Sequence, residues 1–221
     1  MKPTRLLDRT TTPDGTPITL HEHDGVISIR VGGIELMSTR QHHSEERLAE
    51  VACAGLRERP HAAVLIGGLG LGFTLRETLA QLGPDATVVV AELVPVVIAW
   101  NRNPAYRLAA DVIADPRVDL VAGDVADVLD ESRGRFDAIM LDVDNGARGL
   151  TTAVNDGLYV ASGLGAARAA LRPGGRLAVW SADHDRRFVA RLEEAGFRVD
   201  VVKARTHATG GSWNWIFVGT R

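Results

Sequence analysis

Residues 62–74 read Ala62-Ala-Val-Leu-Ile-Gly-Gly-Leu-Gly-Leu-Gly-Phe-Thr74. An apolar run ends in Gly67, Gly68, Gly70 and Gly72, and a helical pattern starts at once behind it. The order is strand, glycine turn, helix. Such a turn lets backbone approach a ligand, because glycine lacks a Cβ and tolerates positive φ. The helix start behind it offers unpaired N–H groups to a polar or anionic group. A nucleotide or nucleoside site is therefore expected, and the rest of the chain decides which.

Downstream, helix and strand patterns alternate. Phe73 to Leu82 reads as a helix stopped by Gly83-Pro84, and Thr87 to Ala91 as a β-branched strand ending at Glu92. A helix starts near Pro95 and runs to about Asn101. Val118 to Ala122 is a strand ending in Gly123-Asp124, followed by a helix from Val125 to Glu131. Phe136 to Leu141 is the next strand, ending in Asp142-Val-Asp144-Asn145. The loop through Asp156 is long for a compact domain, which often signals function. A helix from about Leu158 to Leu171, a Pro173-Gly-Gly175 break and a strand from Arg176 to Trp180 follow. A helix from Arg186 to Ala195 precedes two final strands, Phe197 to Lys203 and Trp213 to Gly219. Those two have no helix between them and are expected to pair antiparallel. The alternation argues for an α/β fold with a mostly parallel, doubly wound sheet.

Upstream, residues 1–17 hold three prolines and read mostly as irregular. Ile18 and Leu20 alternate with polar residues, Asp24-Gly25 is a hairpin signal, and Val26 to Val31 and Ile34 to Met37 complete a small antiparallel meander. Ser44, followed by Glu45 and Glu46, reads as a capping hydroxyl opening a helix that runs to Arg57. The expected division is residues 1–40, an N-terminal segment with the meander, and residues 41–221, a Rossmann-like domain.

The 221-residue chain has 45% hydrophobic and 24% charged residues, the balance of an ordinary globular protein. A net charge of −3 gives no global case for nucleic acid. No apolar run approaches the roughly 20 residues of a membrane helix, and the start carries no signal-peptide pattern. The one cysteine, Cys53, excludes an internal disulfide and fits a reducing, cytoplasmic setting. His21 and His23 on one strand face, with His42-His43 beyond, are read as surface histidines, and no metal is assigned. Asp183-His-Asp185 is either a supporting acid–base group or a polar turn capping the next helix. Trp213 and Trp215, two apart on a strand, read as packing of the final hairpin.

In open α/β sheets ligands bind at the carboxyl ends of the strands. Here those ends carry the glycine turn, Glu92, Asp124 and Asp142. Glu92 lies 20 residues after Gly72, where an acid that grips ribose hydroxyls belongs. Asp124 suits an adenine amine or a helix cap, with Val125 next to it. Asp142 lies where the reacting end of a ligand would be. A dinucleotide fingerprint is G-x-G-x-x-G, whereas Gly68-Leu-Gly70-Leu-Gly72 is G-x-G-x-G. That spacing, with acids after three strands, resembles the class I methyltransferase fold, which binds S-adenosylmethionine.

Within that fold, residues 18–220 are similar to the spermidine synthase family, the polyamine aminopropyltransferases. The family's glycine turn reads about V-I-G-G-G-D-G-G-T-L-R-E; here it is Leu65-Ile-Gly-Gly-Leu-Gly-Leu-Gly-Phe-Thr-Leu-Arg-Glu77. The likeness continues through Asp115-Pro-Arg-Val118 and Phe136-Asp-Ala-Ile-Met-Leu-Asp142. It implies cofactor-binding roles for Gly67, Gly68, Gly70, Gly72, Glu92, Asp124 and Val125. It implies Asp142 as the base, with Asp144 the second candidate, and a homodimer. The family's D-E-F-x-Y-[HQ]-E corresponds to Arg40-Gln-His-His-Ser-Glu-Glu46, which implies substrate contacts at Gln41, His43 and Glu45. Asn145 stands at the family's second loop acid, and Gly70 at its glycine-turn aspartate, which excludes unmodified S-adenosylmethionine. The expected function is therefore a spermidine synthase-like transferase that uses S-adenosylmethionine to methylate a small amine or similar nucleophile. Aminopropyl transfer from the decarboxylated donor and a non-catalytic adenosyl-binding role are the alternatives.

Overall fold

The computed structural model describes residues 3–12, 15–142, 155–207 and 209–221. The chain opens with four strands, β1 (Arg5–Thr11), β2 (Pro17–His23), β3 (Val26–Val31) and β4 (Ile34–Ser38), then helix α1 (His43–Ala52). Next come β5 (Ala63–Gly67), α2 (Phe73–Gln81), β6 (Thr87–Glu92), α3 (Pro95–Arg102), the short α4 (Ala110–Ile113) and β7 (Val118–Ala122). Then follow α5 (Val125–Asp130), β8 (Phe136–Leu141), α6 (Ala161–Ala170), β9 (Leu171–Ser181), α7 (Arg186–Glu194), β10 (Arg198–His207) and β11 (Gly210–Thr220).

Among the described residues the strands form two sheets. One is an antiparallel meander in the order β1-β2-β3-β4, and the other has seven strands in the order β10-β11-β9-β8-β5-β6-β7. β5, β6, β7, β8 and β9 run parallel, while β11 lies antiparallel to both β9 and β10. The chain winds from β5 outward to β7, then returns to place β8 on the other side of β5. That reversal opens a crevice above β5 and β8, where α/β sheets take their ligands.

Alternation along the central strands builds a core on each sheet face. Val64 and Ile66 of β5 join Ala138 and Met140 of β8 on the face covered by α1, α2 and α3. Leu65, Ile139 and Leu141 point to the opposite face, covered by α5, α6 and α7. Ile18, Leu20 and Ile29 of the meander belong to the same cluster as Leu48, Leu75 and Trp100. The indole Nε1 of Trp100 also donates to Asp8 Oδ2 at 2.7 Å, tying β1 to α3.

The structure corrects several expectations. Residues 5–11 are a strand, not irregular chain. β1 is a sheet edge whose charges, Arg5, Asp8 and Arg9, obscure its alternation, and an irregularity between Leu6 and Asp8 breaks the period. Pro3 precedes the strand and Pro17 opens β2, so neither interrupts it. Ser44 does not cap α1. His42 occupies the cap position with no side-chain bond, and Ser44 is buried inside the first turn. That helix ends at Ala52, five residues short of Arg57, ahead of Gly55 at φ +82°. β9 starts at Leu171 and continues past Pro173-Gly-Gly175, which is absorbed as a shift in register with β8. The final strands pair antiparallel as expected, and each extends further than its apolar pattern.

Candidate active site

The glycine turn is held by backbone bonds from both neighbouring strands. Gly68 N–H donates to Ala91 O of β6 at 2.8 Å, and Asp142 N–H, at the end of β8, donates to Gly67 O at 3.0 Å. Glu92 completes the clamp. Its Oε2 accepts from Leu69 N–H and its Oε1 from Val94 N–H, both at 2.8 Å, and the residue is buried. A carboxylate oxygen can accept more than one hydrogen bond, which is the capacity that ribose hydroxyls would call on. Below the turn, the fully buried Asn101 of α3 donates from Nδ2 to Gly70 O at 2.8 Å and to Val97 O at 2.9 Å.

The glycines do different work. Gly72 sits at φ +84°, ahead of α2, and a Cβ there would stand 2.3 Å from Ala109 Cβ. At Gly70, φ +53°, a Cβ would stand 3.1 Å from the Met37 sulfur, so the meander closes over the turn at that position. The space where Gly67 would carry a side chain is filled by Val125 methyls at 3.0 and 3.2 Å and a Leu141 methyl at 3.1 Å. The missing Cβ of Gly67 thus serves packing, and the Val125 side chain is buried against it.

An adenosyl group fits the residues along this edge. Gly123 has nothing nearer its Cβ position than a Val121 methyl at 3.9 Å, leaving open space beside the end of β7. Asp124 uses Oδ1 to cap α5 through Ala126 N–H at 2.9 Å, and its other oxygen remains for a ligand donor. Glu92, Asp124 and the turn's backbone are the groups that would hold such a ligand.

Next to the turn is a cavity of about 250 Å³. The meander contributes Glu35 and Met37, α1 contributes Ser44 and Glu45, and Gln41 lies just before that helix. Phe73 and Thr74 enter from the start of α2, Asp142 from just past the end of β8, Trp180 from β9 and Asn214 from β11. His42 stacks on Phe73 with ring centroids 4.2 Å apart, which pins the start of α1 over the start of α2. Thr74 Oγ1 donates to Asp142 Oδ2 at 2.9 Å. Ser44 Oγ donates to Glu45 Oε2 at 2.7 Å and accepts from Asn214 Nδ2 at 3.1 Å. Burial first, and then the facing Asp142, push the Glu45 carboxyl up to about 8. Glu45 is thus poised to exchange a proton near neutral pH.

The structure gathers Gln41, Glu45, Gly70 and Asp142 around this cavity. His43 stands apart from its lining, with Nδ1 3.4 Å from Glu46. Asp144 and Asn145 lie outside the described residues. Asp185 caps α7 through Arg187 and Phe188 N–H, which resolves the Asp183-His-Asp185 segment as a capping turn. Trp213 is an exposed strand residue beneath Arg205, whose guanidinium carbon is 4.1 Å from the ring centroid, rather than part of a packed hairpin interior. Among the described residues no cluster of three His, Cys, Asp or Glu is placed to hold a metal ion. No helix among them is long and apolar enough to cross a membrane.

Met37, Asn101, Trp180 and Asn214 were not singled out as site residues from the sequence. Asn101 and Asn214 had a visible signal: each is a polar residue at a position whose periodicity points into the core. Met37 and Trp180 had none, because their roles depend on contact between distant elements.

Comparison with solved structures places the architecture. A spermidine synthase in complex with the transition state analogue AdoDATO matches with a TM-score of 0.76 at 22% identity, covering 97% of this chain and 72% of that one. The spermidine synthase from Thermotoga maritima matches with a TM-score of 0.77 at 23% identity over the same shares. The fold is therefore spermidine synthase-like: a Rossmann-like mixed α/β sheet preceded by a small β meander. In sequence, the chain is homologous to polyamine aminopropyltransferases. It is 33% identical over 113 residues to polyamine aminopropyltransferase 1 of Streptomyces coelicolor, 50% of this chain and 20% of that protein. It is 29% identical over 103 residues to the polyamine aminopropyltransferase of Saccharolobus solfataricus, 47% of this chain and 34% of that protein. The matches thus span only a minor part of these curated relatives. No family model matches the chain.

Proposed function

We propose that this chain is a transferase that moves the aminopropyl group of decarboxylated S-adenosylmethionine to a small amine. One observation carries this function. The cavity beside the glycine turn is lined by Glu35, Glu45 and Asp142 with the aromatic rings of Phe73 and Trp180, and none of its described lining residues is Lys, Arg or His. Carboxylates and aromatic faces suit a cationic amine. The same lining offers no cation to a carboxylate. S-adenosylmethionine carries a carboxylate on the arm that would reach this region, and its decarboxylated form does not. Gly70 taken alone favoured the unmodified donor, but the cavity as a whole favours the decarboxylated one.

The donor supplies a sulfonium leaving group, so the protein's work is to position the nucleophile and take its proton. Asp142 is assigned as a proton acceptor, oriented by Thr74. Methyl transfer from S-adenosylmethionine is the second reading, favoured by the lack of a carboxylate at Gly70.

Calorimetry with the two donors, followed by mass analysis of products with short diamines, tests this assignment. Tighter binding of the decarboxylated donor and an aminopropylated product are expected. Tighter binding of S-adenosylmethionine with a methylated product would replace the main reading by the second. Asp142→Asn should keep donor affinity within about threefold while lowering kcat by about 100-fold or more. Undiminished kcat would remove Asp142 as a proton acceptor.

A further inference from the structure

We infer that Glu45 is a second proton acceptor of the site, held ready by a buried relay, Asn214–Ser44–Glu45, that reaches it from the C-terminal hairpin. This rests on the transferase reading above. Ser44 and Asn214 are 2% and 6% exposed, and both border the cavity that Glu45 and Asp142 line. The relay has a direction. An amide nitrogen only donates, so the Asn214 Nδ2 bond occupies a lone pair of Ser44 Oγ. The single hydroxyl proton of Ser44 is then committed to Glu45 Oε2 at 2.7 Å.

A donor fixed on a carboxylate favours its ionised form. Here it opposes two stronger influences, burial and the charge of Asp142, which both favour the protonated form. The other groups around Glu45 are these. Glu46, on the same helix, repels it weakly and lies 2.8 Å from His42 Nδ1 and 3.4 Å from His43 Nδ1. Glu35 of β4 lines the same cavity and is 3.7 Å from Arg30. α2, β9, β10 and β11 present the uncharged Thr74, Trp180, Thr206 and Asn214. No neighbouring cation among these lining residues assists ionisation, so the Ser44 bond is the main favourable contact.

In the proposed step an acceptor ammonium gives one proton to ionised Glu45. The freed nitrogen lone pair forms a C–N bond to the carbon attached to the sulfonium. The C–S bond breaks, and its electron pair leaves sulfur as a neutral thioether. The nitrogen, now carrying the new substituent and a positive charge, releases its second proton to Asp142 or water. Glu45 returns its proton to solvent.

The test compares wild type, Ser44→Ala, Ser44→Thr and Asn214→Leu by two measurements. The first is kcat/KM against pH with the donor and amine that the wild type turns over. The second is the titration of the Glu45 carboxyl carbon by NMR in the free, carbon-13-labelled protein, assigned by its loss in Glu45→Gln. The acid limb of the rate profile and the NMR midpoint should both move up by about one pH unit in Ser44→Ala and Asn214→Leu. Activity should recover towards wild type at the alkaline end, and Ser44→Thr should restore both midpoints. A relay that only stabilises the fold would lower the melting temperature and leave both midpoints unmoved, which overturns the inference. An NMR midpoint that moves without the rate limb removes Glu45 as proton acceptor. A wild type with no turnover on any donor instead sinks the transferase reading, while the NMR arm still reports on the relay.

Discussion

Burial and the charge of Asp142 raise the Glu45 carboxyl well above its ordinary value, and the consequence for stability has a definite sign. The Glu45 carboxyl titrates near 8 in the folded chain, against a reference value of 4.5. Between those values the native state holds a proton that the unfolded chain has released. Stability therefore falls as pH rises through this window, and the part contributed by the protonated carboxyl is lost above about 8. Glu45→Gln keeps the shape and removes the titration. The variant should match wild type in urea midpoint at pH 5 and exceed it progressively at pH 7 and 9. Parallel profiles would show that Glu45 titrates normally. The cost of an ionised Glu45 at alkaline pH is one that a purely structural position would have no reason to carry.

The turn between β5 and α2 shows how an element is built around close approach. Gly72 lies in the left-handed region, and any side chain there would strike Ala109 beside α4. Gly72→Ala should cost about 2–3 kcal/mol in chemical unfolding from strain and overlap together. It should also weaken adenosyl-donor binding, since the first turn of α2 would have to move. A variant as stable as wild type would mean that the segment before α4 yields freely. Two arginines stabilise the same element from outside. Arg76 grips Asp111 through two nitrogens at 2.6 and 2.7 Å. Arg117 binds Asp115 and also donates to Leu79 O at 3.0 Å, at the end of α2. These contacts hold the turn without touching the donor.

Across the whole molecule, the two ends of the strands are specialised differently. The carboxyl ends gather acids around a cavity. At the amino ends, the buried Asp137 accepts from Ala63 N–H at 2.9 Å and pairs with Arg59 at 2.7 Å and Arg172 at 2.6 Å. This network ties β5, β8 and the start of β9 together far from the site. Asp137→Ala should cost about 3 kcal/mol in urea unfolding, because a part-buried amide and two guanidinium groups lose their acceptor. Donor affinity should stay within about twofold. A large loss of affinity without a loss of stability would contradict this separation of the two ends.

Much of this organisation is legible in one dimension. Residues 118–122 and 136–141 alternate or run apolar between clear turn signals, and the structure places both strands with those limits. The glycine turn, the acids at three strand ends and the antiparallel finish are local patterns, so the sheet and its candidate ligand edge follow from them. β1 escaped because an edge strand keeps one face in water and its charges dilute the period. The buried position of Ser44 escaped because a serine before two glutamates has the pattern of a cap, whereas the pairing with Asn214 joins residues 170 positions apart. Met37 over Gly70 and Glu45 facing Asp142 arise the same way, from elements brought together by a shared core. Short-range pattern is set by backbone geometry and side-chain period, which each segment carries within itself. The chemistry of the cavity is set by which side chains meet, and that depends on packing between segments that no local pattern contains. The sequence alone therefore sufficed for the fold and for proposing a ligand edge, while the tertiary structure decided what surrounds Gly70 and which carboxylates share the candidate site.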